Sequence, residues 1–158
     1  KMADLIATRS NCSRRHFGAV IVRNNKMVLS TGYNGTPFGA VNCDEGGCVR
    51  CASDVPSGVG YELCACVHGE ANAVELAARN GIRIEGATMY TQGNPCVYCL
   101  KTIIQGGIKE LVVQYIWDYQ DKKLKDMYWN LMNTTGVVLR MIAGGEKRGT
   151  AHATSRTK

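Results

Sequence analysis

The spacing of apolar residues changes several times along the chain, and each change marks an element. Residues 17–23, FGAVIVR, form a nearly continuous apolar run, and 26–33, KMVLSTGY, follow after two asparagines. This pattern predicts two strands joined by a tight turn, because Asn24 and Asn25 tolerate the positive φ that such a turn demands. Residues 69–81, GEANAVELAARNG, are rich in Ala, Leu and Glu and stop at Gly81, which predicts a helix. Next come a short strand at 87–92 (ATMYTQ) and a helix at 96–107 (CVYCLKTIIQGG), opened by Pro95 and closed by Gly106 and Gly107. A strand at 110–116 (ELVVQYI), an amphipathic helix at 121–133 (DKKLKDMYWNLMN) and a last strand at 136–142 (GVVLRMI) complete the series. Residues 2–10 read as the end of one further helix. Strands alternating with helices predict an α/β layer structure, a mixed sheet with helices packed on it.

One segment has no period. Residues 34–62 are rich in Gly, Asp, Cys, Pro and Ser, and a loop this long inside a compact domain needs a reason. The cysteine count suggests one. Eight cysteines are many for a chain of 158 residues whose size and 45% hydrophobic content can fill a core without staples. In a reducing compartment such cysteines read as metal ligands or catalytic groups. No apolar run is long enough to span a bilayer and no signal-peptide pattern opens the chain, so the expectation is one cytoplasmic domain, 1–158, with no membrane partner. The net charge of +6 suits an anionic substrate. No Lys/Arg run reads as a nucleic-acid arm, and EKRGTAHATSRTK (146–158) reads as a solvated tail.

The stretch NPCVYC (94–99) places Cys96 and Cys99 at i and i+3 at a helix start, where the helix dipole favours thiolate. Alone, this C-x-x-C fits a redox disulfide as well as a zinc site. The other helix separates the two. His68 stands just before its start and Glu70 two residues later, and consecutive helices flanking one strand bring their N-termini to one sheet edge. One nitrogen and two sulfurs would then surround a zinc ion, leaving a fourth position open for water. Glu70, near the ion without being needed as a ligand, is placed to shuttle protons. The pairing of H-x-E with P-C-x-x-C is the zinc deaminase signature.

With these motifs the chain resembles the deoxycytidylate (dCMP) deaminase family of the cytidine-deaminase-like superfamily. The resemblance rests on RSNCSRRHFGAVIV, STGYNGTP, NCDEGGCVRC, HGEANAV, EGATMYTQGNPCVYC and QGGIKELVV, from about residue 9 to about residue 113. It implies a three-layer α-β-α fold with a five-stranded mixed sheet and helices on both faces. It implies hydrolysis of dCMP to dUMP and ammonia. By motif position it places Asn34 on the deoxyribose 3′-hydroxyl, Asn72 on the sugar or base, and Arg14 or Arg15 on the 5′-phosphate. Relatives usually carry alanine at Gly69, whose N–H would bond the base carbonyl. Family members are commonly hexamers activated by dCTP with Mg²⁺ and inhibited by dTTP. Arg79 falls at a subunit interface in that picture, and Gly35 and Gly39 in an effector phosphate loop. Relatives with a second zinc carry ligands matching Cys12 and Cys43, and often Cys48 and Cys64, so those four form the preferred second set, with Cys51 and Cys66 as alternatives. A third metal would use the surplus. Two rival readings remain: a deaminase of dCTP or another base, and a non-catalytic zinc-stabilised nucleotide-binding module.

Overall fold

The computed structural model describes residues 1–56, 59–119 and 121–148. The elements follow in the order α1 (Met2–Ala7), β1 (Gly18–Arg23), β2 (Met27–Tyr33), α2 (Val49–Ala52), α3 (Gly69–Arg79), β3 (Thr88–Gly93), α4 (Val97–Gln105), β4 (Glu110–Trp117), α5 (Lys122–Thr135) and β5 (Val138–Arg148). The strands form one mixed sheet in the order β2-β1-β3-β4-β5. β1 is antiparallel to both β2 and β3, whereas β3, β4 and β5 run parallel. Asn24 and Asn25 both adopt φ of 53° and make the β1–β2 turn.

The two sheet faces bury different partners. Val20 and Val22 of β1 pack with Ala3 and Ile6 of α1 and with Tyr90. The alternate residues, Ala19 and Ile21, join Met89 and Leu111 in the main core. There they meet Ala73 and Ala77 of α3, Leu100 and Ile103 of α4, and Tyr128 and Met132 of α5. This is period-two alternation separating two layers of helices. The helices end where the chain supplies a left-handed residue: Gly81 after α3 at φ 65°, Gly136 after α5 at φ 69°. Asp121 caps α5 by accepting from the Leu124 N–H at 2.8 Å.

The last strand is longer than its apolar run. It continues past Ile142 through an irregularity, and Glu146, Lys147 and Arg148 pair with Tyr115, Ile116 and Trp117. The first three residues of the expected tail are therefore strand. The backbone ladder, blind to side-chain polarity, carries the pairing to the sheet edge. The remainder of that tail, 149–158, lies outside the described residues. No helix among the described residues is long and apolar enough to cross a membrane.

Antiparallel pairing decides where the site forms. Gly18 pairs with Tyr33 and Ala19 with Thr91, so the ends of β2 and β3 flank the start of β1. The segments leaving those ends, beginning at Asn34 and Asn94, emerge side by side. α3 is pressed onto this corner. A Cβ on Gly32 would lie 2.2 Å from the Gly69 carbonyl oxygen and 2.3 Å from the Ala73 nitrogen, inside contact distance with backbone. Gly32→Ala is therefore expected to lower stability by about 1–3 kcal/mol through overpacking. Urea unfolding would read this as a lower midpoint, and an unchanged midpoint would contradict the close approach.

Candidate metal centre and active site

Helix α4 begins where β3 runs out. Asn94, almost fully buried, accepts from the Trp117 N–H at 2.9 Å and donates its amide to the Trp117 carbonyl at 3.3 Å. That double bond ties the end of β3 to the end of β4 and sets the direction of Pro95. Tyr119 donates its hydroxyl to the Pro95 carbonyl at 3.3 Å. Cys96 is then the cap residue of α4 and Cys99 lies in its first turn.

His68 is the cap residue of α3, but its side chain makes no capping bond. Asn34 caps the helix from outside: its side-chain carbonyl accepts from the Gly69 N–H at 2.7 Å, and its amide donates to the Arg15 carbonyl at 3.3 Å. Ser10 in turn donates to the Asn34 carbonyl at 2.6 Å. The imidazole is free to point at α4, where its Nδ1 lies 3.5 Å from both the Cys96 and the Cys99 sulfur.

These distances fit a zinc ion. Bonds of about 2.0–2.1 Å to nitrogen and 2.3 Å to sulfur at tetrahedral angles separate the two atoms by about 3.6 Å. The three ligand atoms lie within 4.8 Å of one another. Without metal the protons are shared out. The hydrogen bond from Cys99 holds Cys96 down to about 4 against the effect of burial, with His68 helping. The same bond, with burial, pushes Cys99 well up. The hydrogen bond to Cys96 pulls His68 up against its burial, and the charge of Arg15 opposes that rise. The trio thus already favours an anionic sulfur at Cys96.

Glu70 is buried at 4% exposure. Burial raises its pKa, offset in part by His68. Tyr61 stands edge-on to His68 at 6.0 Å between ring centres, and the Arg50 guanidinium covers Tyr61 at 4.4 Å. Tyr128 is fully buried in α5, and its hydroxyl has no hydrogen-bond partner among the described residues. Asn94, Tyr61, Tyr119 and Tyr128 carry no sequence signal beyond the asparagine that precedes Pro95. A shallow apolar groove lined by Val20, Val22, Tyr90 and Val112 lies on the α1 side of the sheet and shares none of these residues.

Several expected substrate and effector contacts are engaged within the protein. Arg14 donates to the Ser53 and Val55 carbonyls, so its guanidinium helps hold the loop. The Gly35 N–H bonds the Val67 carbonyl at 3.2 Å, and Gly39 has the positive φ of 83°. The Gly69 N–H, expected at a base carbonyl, donates to the Asn34 side chain. Asn72 donates to the Tyr33 carbonyl at 2.9 Å. Arg79 stacks its guanidinium on Phe38 at 4.4 Å, and Phe38 is 89% exposed. At Gly69 a Cβ would lie 2.8 Å from the Phe17 carbonyl oxygen, so the two backbones approach closely there.

The six remaining cysteines meet in the long loop. Cys12, Cys43, Cys51 and Cys66 converge, as do Cys48, Cys51, Cys64 and Cys66. The expected set of Cys12, Cys43, Cys48 and Cys64 is not among the convergent groups. Cys12 and Cys43 belong to one group and Cys48 and Cys64 to the other, with Cys51 and Cys66 common to both.

The chain is similar to known proteins over most of its length. The family model of the cytidine and deoxycytidylate deaminase zinc-binding region matches residues 1–115. Deoxycytidylate deaminase of Schizosaccharomyces pombe is 42% identical over 140 residues, 89% of this chain and 41% of that protein. The Saccharomyces cerevisiae enzyme is 36% identical over 147 residues, 93% of this chain and 44% of that protein. This chain therefore spans less than half the length of the two yeast relatives. The crystal structure of dCMP deaminase from cyanophage S-TIM5 in complex with dCMP and dUMP superposes with a TM-score of 0.65. It is 29% identical and covers 89% of this chain and 91% of that one.

Asn34→Ala would leave the buried Gly69 N–H without an acceptor and the start of α3 without its cap. A stability loss of about 1–3 kcal/mol is expected, with weaker retention of metal at His68. Denaturant unfolding and competition with a zinc chelator measure the two effects, and wild-type values in both would contradict the cap.

Proposed function

This chain belongs to the cytidine and deoxycytidylate deaminase family, and on that premise we propose that it hydrolyses dCMP to dUMP and ammonia. The observation that carries the reading is the buried Glu70 carboxyl beside a set of one nitrogen and two sulfurs. A purely structural metal has no use for that carboxyl, which disfavours a non-catalytic module.

His68 through Nδ1, with Cys96 and Cys99, would hold zinc, which when bound would supply Lewis acidity toward the attacking water. The protein's own groups do the rest. Glu70 takes the proton from the attacking water, gives one to N3 of the ring, and helps protonate the amine that leaves C4. Water adds at C4, the C4–N4 bond breaks, and ammonia departs, so atoms and charge balance. Burial makes the Glu70 carboxylate a stronger base than an exposed one and makes its protonated form easier to reach, which suits a group that must both take and return protons.

Arg15 supports nucleotide recognition, since its positive charge is close enough to be felt at His68. Asn34 and Asn72 each donate one amide hydrogen within the protein and carry a second, which suits a sugar hydroxyl. Assembly as a homo-oligomer, a hexamer in the family pattern, with dCTP and Mg²⁺ activating and dTTP inhibiting, is part of the same proposal. The exposed Phe38, fixed by Arg79, supports an interface at that loop.

Ammonia release from dCMP, dCTP, deoxycytidine and cytidine tests the substrate, with dCMP expected to be turned over best. Glu70→Gln should keep its zinc and fold while turnover falls at least roughly a hundred to ten-thousand-fold. Loss of the metal in that variant would make Glu70 a ligand, and near-normal turnover would remove it from the mechanism.

A further inference from the structure

Six cysteines stand outside the His68 centre, drawn from four separate places. Cys12 follows α1, Cys43 opens a short 3-10 turn, Cys48 and Cys51 lie at the start and within α2, and Cys64 and Cys66 precede α3. All are free thiols, and Cys12, Cys43, Cys48 and Cys66 are buried. They form a core cluster of their own, apart from the apolar core.

Their grouping is the informative feature. Within the quartet Cys12, Cys43, Cys51 and Cys66 every sulfur lies within 4.8 Å of the others, and the same holds for Cys48, Cys51, Cys64 and Cys66. Two complete quartets are built from six sulfurs because Cys51 and Cys66 belong to both. Individual separations carry the mark of a tetrahedral ion. Cys12 and Cys51 are 3.8 Å apart in the first quartet, and Cys48 and Cys64 are 3.8 Å apart in the second. Four zinc–sulfur bonds of 2.3 Å at tetrahedral angles put sulfurs about 3.8 Å apart, whereas a disulfide would need about 2.05 Å.

We propose that these residues hold a binuclear zinc cluster with six thiolates. Cys12 and Cys43 are terminal ligands of one ion, Cys48 and Cys64 are terminal ligands of the other, and Cys51 and Cys66 bridge the two. Loading two Zn²⁺ ions displaces six thiol protons and needs no oxidant or reductant. A single ion would satisfy one quartet and leave either Cys12 and Cys43 or Cys48 and Cys64 as a clustered pair without an ion, although each quartet is equally closed. The terminal sulfurs also meet backbone donors. The Ser13 N–H lies 3.4 Å from the Cys43 sulfur and the Ala65 N–H 3.3 Å from the Cys48 sulfur. Such N–H groups stabilise thiolate over thiol. The loaded cluster carries two net negative charges, and the same loop holds the guanidinium groups of Arg14 and the buried Arg50.

The cluster gives the aperiodic loop its core and reaches the active site through a short path. Cys66 lies two residues before His68, and Val67 between them pairs with Gly35 beside Asn34. The proposal stands independently of the reaction assigned above, because its test counts metals and reads their ligation without any assay of turnover.

Native mass spectrometry with elemental analysis of the intact chain should find three zinc ions, one at His68 and two in the cluster. After replacement by cadmium-113, NMR should give two resonances in the all-sulfur region, each split by the other through the shared thiolates. Cys51→Ser should loosen both cluster ions while the His68 centre keeps its own. Should that variant not fold, the wild-type spectrum still decides. Two metals per chain in total, or all-sulfur resonances without mutual splitting, would overturn the bridged cluster.

Discussion

The structure depends on the contact between the start of α3 and the corner where β1 and β2 meet. Gly32 has no side chain because the Gly69 carbonyl and the Ala73 nitrogen occupy its place, and Gly69 has none because the Phe17 carbonyl lies there. Into this backbone-to-backbone contact Asn34 sends one carbonyl oxygen to the Gly69 N–H. Everything chemical follows from that seating. His68, released from capping duty, turns toward α4, and Glu70 goes into the interior one residue beyond the capped glycine. A helix held a few tenths of an ångström farther out would carry both away from the two cysteines. Tight packing makes such displacements costly, and it is what holds the three candidate ligand atoms together.

The second organising force is sulfur. A loop with few buried aliphatic residues cannot order itself by apolar burial, and residues 34–67 place their buried side chains largely around cysteine. Burial raises Cys51, Cys64 and Cys66, while hydrogen bonds from Cys51 and Ala65 carry Cys48 down to about 6 despite its burial. The spread within one cluster is what crowded sulfurs produce when they must share protons. In the proposed cluster a soft divalent ion would remove the conflict by replacing the protons, and its binding energy would become folding energy for the loop. The loop then does for the outer side of His68 what α4 does for the inner side, with Tyr61 and Arg50 stacked between.

What could be read from the chain alone was whatever local spacing determines. The β1–β2 turn at Asn24 and Asn25, the glycine stops, and the order of strands and helices follow from backbone chemistry within a few residues. His68 with Glu70, and Cys96 with Cys99, were legible as two half-sites because each is a helix-start pattern and the order of elements brings the starts together. Contacts set by tertiary structure were not legible. Whether Arg14 meets a phosphate or the Ser53 carbonyl depends on where another loop lies. The same holds for Gly35 and Asn34, whose polar groups are engaged inside the protein. The grouping of six cysteines is also tertiary: knuckle spacing pairs Cys48 with Cys51, but nothing in the spacing says that Cys51 and Cys66 stand between the other four. The extension of β5 to Arg148 was hidden because polar edge residues pair through their backbones.

Crystals of the zinc-loaded protein, with diffraction recorded on both sides of the zinc absorption edge, give the most direct view of the centre formed by α3 and α4. The expected map has an anomalous peak bonded to His68 Nδ1 and to the sulfurs of Cys96 and Cys99, with the Glu70 carboxyl nearby but outside bonding distance. A disulfide between Cys96 and Cys99 with no peak beside His68, or a peak bonded directly to Glu70, would contradict the proton-shuttle site assigned to this chain.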